Sequence, residues 1–311
     1  MVLDLLISGI VYGGIITLGA IGLTLMSDIL GFFNFAYGEY FALGAYGTLM
    51  LTGVFNSSST FKGLTFGWSM VASVFISAII TIAIILLIDF IFFRPLRKRG
   101  VTPLFMALAS LGVSFVIRAA INIIWGPKVR YYSNAIQLSR EMPFGIHITN
   151  EEIVILVSTF SLVILVYLFL KNTRIGKSMR AVSNNELLAK VCGINTEVVI
   201  VWTWILSGVL AAIAGTFYGI RVQLRPIMGW EFLIPLFVAV IMGGIGNFWG
   251  AMVSGMIIGI SEELITGLVQ NLLNSMNITA DVSVYKPAVA FILVVLILLL
   301  KPYGLFGRKE A

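Results

Sequence analysis

Eight apolar runs recur along the chain, near residues 3–26, 35–54, 67–92, 103–125, 151–170, 198–219, 232–272 and 284–301. Each is long enough to cross a bilayer as a helix of about 20 residues. A spanning segment must satisfy its own backbone hydrogen bonds in lipid, and runs of this length are too long for barrel strands, so a helical bundle follows. Composition agrees, because 59% of the residues are hydrophobic and 11% charged, well beyond the roughly half-apolar make-up of a soluble domain. The expected fold is an all-α polytopic membrane protein with about eight transmembrane helices, plus broken or re-entrant helices and an internal repeat. No hydrophilic stretch of domain size intervenes, so residues 1–311 read as one transmembrane domain whose soluble parts are loops. The first run carries Asp4 where a secretory signal has a basic region, and its length also marks it as a span.

A net charge of +6 would suit nucleic acid if the cations were spread over one surface, but they are grouped by loop. Arg94, Arg97, Lys98 and Arg99 form one group, Lys171, Arg174, Lys177, Arg180 and Lys190 a second, and Lys301, Arg308 and Lys309 a third. The positive-inside rule places these regions, and with them the C-terminus, in the cytoplasm. Segments 55–66, 126–150, 220–231 and 273–283 then face outward, and the N-terminus with them. One cysteine, Cys192, and one histidine, His147, cannot build a disulfide framework or a thiol and imidazole metal site.

Two runs are interrupted. "LGFFNFAYGEY", from Leu30 to Tyr40, places Asn34, Gly38 and the carboxylate Glu39 inside apolar sequence. "MGGIGNFWGAM", from Met242 to Met252, clusters Gly243, Gly244, Gly246 and Gly250 in a segment too long for one span. Each glycine costs a helix about 1 kcal/mol relative to alanine, so a half-helix, a turn and a returning helix are expected there. "NFAYGEYFALGA" and "NFWGAMVSGM" share Asn-Phe, an aromatic, a glycine and a later small residue. Paired broken helices of internal repeats often form the substrate path of transporters, which nominates Asn34, Gly38, Glu39, Gly243, Gly244 and Gly246. The pairs Gly9/Gly13, Gly215/Gly219 and Gly255/Gly259 have the small-xxx-small spacing of close helix packing and are read that way.

A carboxylate within a span costs about 3 kcal/mol or more, so Glu39 either faces a polar cavity or partner, or hydrogen-bonds the frayed helix end around Leu30 to Asn34. Arg118 lies about 12 Å from the outer end of its helix and is expected to snorkel outward. Asp89, one turn before Arg94, fits a local ion pair at the cytoplasmic interface. Trp68, Trp125 and Trp230 read as markers of the membrane boundary. The outward charges Lys128, Arg130, Arg140, Glu141, Glu151, Glu152, Arg221, Arg225 and Glu231 read as a mixed, solvated surface. An intramembrane enzyme is disfavoured, since Glu39 has no second carboxylate, histidine or activated serine at a usable spacing.

Residues 171–197 form the longest cytoplasmic loop. Its middle, "NNELLAKVCGIN", reads as a short helix capped by Asn184 or Asn185, with an apolar face of Leu187, Leu188 and Val191 and an end at Gly193. Such a face seeks a partner, its own bundle or the lipid surface. Gly176-Lys177-Ser178 matches only the end of a phosphate-binding loop, with Lys171 where the first glycine belongs, and is read as chance.

The order of these motifs resembles the permease family of branched-chain amino acid ABC importers, especially the smaller of its two permease subunits. The resemblance covers nearly the whole chain: "GFFNFAYGE", "FRPLRKRG" followed by "LASLGVSFVIR", "GKSMRAVSNNELLAKVCGIN", "VIMGGIGNFWGAMVSGMIIGI" and "KPYGLFG". It departs where Glu186 is followed by Leu187-Leu188 rather than small alanines. The resemblance implies a multi-pass subunit of a prokaryotic cytoplasmic membrane, not itself an enzyme, moving amino acids by alternating access. The implied partners are a second permease, homologous or identical, an extracytoplasmic substrate-binding protein and two cytoplasmic ATPases, with ATP bound on those partners and no cofactor in this chain. Arg180, Glu186, Leu187, Ala189 and Gly193 would then couple to the ATPase. The same architecture importing urea, amides or other amino acids is the nearest alternative, and a stand-alone channel or secondary transporter a further one.

Overall fold

The computed structural model describes residues 2–55, 64–133, 139–142, 146–276 and 282–307. The helices, in chain order, are α1 (Val2–Leu30), α2 (Tyr37–Phe55), α3 (Trp68–Ile88), α4 (Arg94–Lys98), α5 (Pro103–Trp125), α6 (Asn150–Asn172), α7 (Arg174–Asn184), α8 (Glu186–Val191), α9 (Thr196–Arg221), α10 (Met228–Gly243), α11 (Phe248–Ser275) and α12 (Lys286–Leu300). Among the described residues six helices are long and apolar enough to cross a membrane, α3 counted through Lys98, and α10 and α12 are shorter apolar helices. Every apolar run of the sequence is recovered, and the over-long run 232–272 divides into α10 and α11, as its glycines require. A hairpin of β1 (Ser139–Met142) and β2 (Ile146–Thr149), antiparallel with Glu141 opposite His147, is the one departure from an all-α chain among the described residues.

The bundle is built around α1, in which every residue from Val11 to Ser27 is buried. A helix apolar on all sides belongs in a core, and here glycine lets its backbone touch a neighbour. A Cβ on Gly259 of α11 would lie 2.2 Å from the Cα of Gly13, one on Gly255 2.8 Å from that of Thr17, and one on Gly9 2.8 Å from that of Ile260. The packing expected of Gly9/Gly13 and Gly255/Gly259 is thus present. Gly215 likewise lets α9 meet the backbone of Phe41 on α2, with the Phe41 carbonyl oxygen 2.0 Å from where a Cβ would stand. Around this centre α3, α5, α6 and α12 turn apolar faces outward, among them Phe75, Val116, Ile164 and Leu296. Without water to meet them, such faces suit hydrocarbon.

The two ends differ. At one end the Asp4 carboxylate accepts the His147 backbone N–H at 2.9 Å, and Arg130 and Leu224 pair their backbones. At the other, the basic end, lie α4, α7, α8 and the α10–α11 turn. The tail after α12 folds back onto that turn: the N–H groups of Leu305 and Phe306 donate to the carbonyls of Met242 and Gly243 at 2.7 and 3.2 Å. Arg308 and Lys309 lie outside the described residues, as do the side chains of Arg140 and Glu141.

Candidate functional site

The break between α1 and α2 is held by its own polar residues. Gly31 takes φ +71°, a conformation that suits glycine, and ends α1. Asn34 is fully buried; its Oδ1 accepts the Ala36 N–H at 2.9 Å and its Nδ2 donates to the Met26 sulfur at 3.2 Å. The Phe35 N–H donates to the Ser110 hydroxyl on α5 at 2.9 Å. Asn34 therefore shapes the break, and α2 starts one turn later with Gly38 and Glu39 in its first turn.

Gly38 brings α2 against α10. A Cβ there would lie 2.2 Å from the carbonyl oxygen of Gly229, and one on Gly229 2.4 Å from that of Gly38. This contact sets Glu39, 1% exposed, beside the first turn of α10. Arg118 of α5 reaches the same carboxylate: its Nε donates to Oε1 at 2.9 Å and its Nη2 to the same oxygen. Arg118 does not snorkel outward as its position along α5 suggested, because an anion one helix away offers more than the distant interface. Its guanidinium also stacks on Trp230, 5.0 Å from the ring centre, and on Phe115 at 5.6 Å. Trp230, read from sequence as a boundary marker, is thus part of this cluster. Glu39 Oε2 is buried without a hydrogen-bond partner among the described residues. The first turn of α10 has no side-chain cap, and its Met228, Trp230 and Glu231 N–H groups donate to the Arg225 and Ile227 carbonyls, so what α10 offers beside that oxygen is the positive end of its dipole.

The second glycine group stands elsewhere. Gly243 ends α10, whose 16 residues span about 24 Å, and Gly244 and Gly246 follow it. The two nominated sets are therefore not brought together; α10 separates them. Gly243 packs on Gly250, where a Cβ would meet backbone at 2.3 Å, while Gly244 and Gly246 have φ of +95° and +80°. Asn247 caps α11, accepting the Gly250 N–H at 2.9 Å, and donates to the Phe306 carbonyl at 3.0 Å. A Cβ on Gly246 would lie 2.5 Å from Asp28 Oδ1, and Asp28 Oδ2 accepts the Ser183 hydroxyl of α7 at 2.6 Å. Asp28 is thus a junction between α1, the α10–α11 turn and the basic loop.

In that loop α8 forms as expected. Asn185 caps it, accepting the Leu188 N–H at 2.9 Å, and Gly193 closes it at φ +82°. Leu187, Leu188 and Val191 are 75%, 60% and 84% exposed. Ala189 turns inward and packs with Met179, Val182 and Val199. Glu186 pairs with Lys190 at 2.6 Å, and Arg180 is exposed on α7, a helix the sequence reading passed over. Asp89 pairs with Arg97 at 2.7 Å rather than with Arg94, which instead meets Glu197 of α9 at 3.2 Å. The π-helical turn Asp89–Phe93 explains the change, since it shifts the register between Asp89 and the basic residues after it.

A further polar cluster escaped sequence reasoning. Glu263 of α11 accepts from Lys286 of α12 at 2.9 Å and from Arg221 of α9 at 3.2 Å, and Arg221 also donates to the Ser8 carbonyl at 2.7 Å. Both cations lie 5.5 Å from the Tyr12 ring centre. Beside them Glu262 is 1% exposed, and neither of its oxygens has a partner among the described residues. Arg221 is therefore no loop charge, and Glu151, also read as solvated, is buried and accepts the Thr65 N–H at 2.8 Å. Two successive carboxylates inside an apolar run were the available signal.

Comparison with known proteins fits this arrangement. The model of the family described as "Branched-chain amino acid transport system / permease component" matches residues 5–300. The chain is 30% identical over 317 residues to the high-affinity branched-chain amino acid transport system permease protein LivH of Escherichia coli K12, covering 99% of this chain and 96% of that one. It is 29% identical to the corresponding BraD of Pseudomonas aeruginosa over 316 residues, with the same coverage. Ribose import permease protein RbsC of Haemophilus influenzae matches more narrowly, at 32% identity over 142 residues, 45% of this chain and 42% of that one. With the family model matching residues 5–300 and a 30% identical relative covered almost end to end, the chain belongs to the branched-chain amino acid transport permease family.

Proposed function

We propose that this chain is the transmembrane permease subunit of an ATP-driven importer of branched-chain amino acids, with its basic end in the cytoplasm. The observation that carries the reading is α8: a well-capped helix whose three large apolar side chains are exposed at the end where the basic residues gather. An apolar face of this kind, held off the bundle by the inward packing of Ala189, fits a groove on a partner. Two cytoplasmic ATPases supply that groove and bind the ATP, a second permease completes the path, and an extracytoplasmic binding protein delivers substrate.

Movement of α8 has a mechanical route inward. Ala189 is packed on α7 and α9, α7 is tied by Ser183 to Asp28, and Asp28 abuts the Gly246 turn at the foot of α10. At the other end of α10, Gly38, Glu39 and Arg118 form the polar point of the path. Glu39 Oε2 suits the ammonium of an amino acid, and Arg118 with the α10 N-terminus suits its carboxylate. Asn34 holds the break in shape, and Gly243, Gly244 and Gly246 serve as the hinge at the cytoplasmic end. ATP-driven closure shifts the bundle only by contacts that differ between its two states, which α8 and Asp28 are placed to provide.

Co-purification tests the reading. Expressed with its second permease and ATPases, the native chain retains the ATPases, whereas Gly193→Pro and Glu186→Arg chains reach the membrane and lose them. Equal recovery of folded chain without ATPase, native or variant, refutes the assignment.

A further inference from the structure

We propose that the crevice at the basic end between α1, α6, α7 and the α10–α11 turn holds the phosphodiester headgroup of an acidic phospholipid from the adjoining leaflet. The crevice, about 370 Å³, is lined by Lys171 and Arg180 together with apolar and aromatic side chains, among them Leu25, Ile29, Tyr167 and Trp249. Neither cation has a carboxylate partner among the described residues. The Lys171 ammonium sits 5.6 Å from the Tyr167 ring centre, and Tyr167 packs on Trp249 at 5.1 Å. Trp249 is itself 48% exposed, as an aromatic at a membrane interface is.

The path for the acyl chain leads directly to these cations. Ile164, Leu165 and Leu168 are exposed on the outer face of α6, and Lys171 follows Leu168 by three residues on the same helical stripe. A lipid lying along that stripe carries its phosphate to Lys171, with Arg180 facing it from α7. Basic pockets between spanning helices bind acidic headgroups in this way. Asp28 is the one carboxylate in the lining; its Oδ2 is engaged by the Ser183 hydroxyl and its Oδ1 faces Gly246. Two cations against one carboxylate leave one net positive charge, which suits the single charge of a phosphodiester better than a free phosphate dianion.

The test is lipid retention by the purified full chain, read by native mass spectrometry and by melting temperature. The protein is exchanged into micelles doped with phosphatidylglycerol, with phosphatidylcholine, or with inorganic phosphate and no phospholipid. Phosphatidylglycerol is expected to remain bound and raise the melting temperature. Lys171→Gln with Arg180→Gln should weaken its retention at least tenfold, whereas Arg174→Gln with Lys177→Gln, on α7 but outside the crevice, should change it less than twofold. Equal loss in the second pair means diffuse attraction to a basic surface and overturns the site. Equal retention of phosphatidylcholine, or the same stabilisation by inorganic phosphate alone, overturns it with the native protein, independent of how the variants fold.

Discussion

Replacing Arg118 by glutamine removes the cation that holds Glu39 while leaving the carboxylate buried at 1% exposure, with Arg118 itself 17% exposed. Breaking a buried ion pair from one side costs about 3–5 kcal/mol, because the remaining charge is left uncompensated. At about 2 °C per kcal/mol for a chain of this size, the melting temperature should fall by about 6–10 °C. Glu39→Gln is milder, about 1–2 kcal/mol, since a glutamine oxygen still accepts from the guanidinium and Arg118 keeps its stacking on Trp230 and Phe115. The double variant leaves no unpaired charge, so its loss should be smaller than the sum of the two by about 1–3 kcal/mol. The assay is thermal unfolding of the purified chain in one detergent, followed by size-exclusion recovery. Additive losses, or an Arg118→Gln melting temperature within about 2 °C of native, would falsify the pairing and return Arg118 to the outer interface.

Three further outcomes follow from separate contacts. Gly259→Val should abolish recovery of folded chain, because its Cβ would lie 2.2 Å from Gly13, whereas Gly53→Ala, with nothing within 4 Å, should be neutral or slightly stabilising in the same recovery assay. Asn247→Ala removes the cap of α11 and a bond to the tail; a loss of about 1 kcal/mol is expected, together with faster proteolysis after α12. Glu263→Gln leaves Arg221 and Lys286 facing each other across Tyr12, and thermal unfolding should report a stability loss of about 2 kcal/mol, below the fully buried case because Lys286 is 27% exposed.

The apolar helices were legible because lipid enforces one rule on every backbone group, but run length did not count them: the run 232–272 holds both α10 and α11, and six helices among the described residues are long and apolar enough to span. The α1–α2 break was legible for a local reason: Gly31 and Asn34 act on neighbours within a few residues, and so do the caps Asn185 and Asn247. Glu39 and Arg118 are 79 residues apart, and nothing along α5 tells whether the arginine reaches outward or sideways. The shared Asn-Phe motifs marked two breaks correctly but not that Gly38 and Glu39 lie at the opposite end of α10 from the Gly246 turn, since similarity of sequence carries no depth. Asp28 attracted no notice near the end of an apolar helix, and its role as a junction appears only when Ser183 and Gly246 arrive from far along the chain.

The polar points at the two ends of α10 pose a question that Pro235 answers. It lies in the interior of α10, buried, and its missing N–H leaves the Glu231 carbonyl without its partner in the helix ladder. A proline in a helix interior costs about 3 kcal/mol relative to alanine, and within a bundle neighbouring helices make that cost tolerable. If transport proceeds by alternating access as proposed, a lesion between Glu39 and the Gly246 turn is where α10, held at one end by Gly38 and at the other by Asp28, is expected to flex. Pro235→Ala restores the ladder bond. It should raise the melting temperature, by about 1–3 kcal/mol of added stability after packing losses, while slowing ATP-driven uptake of leucine in proteoliposomes containing the assembled importer. Native uptake by a stabilised variant would show that α10 moves as one rigid body, and the hinge would then lie wholly in the turn at Gly244 and Gly246.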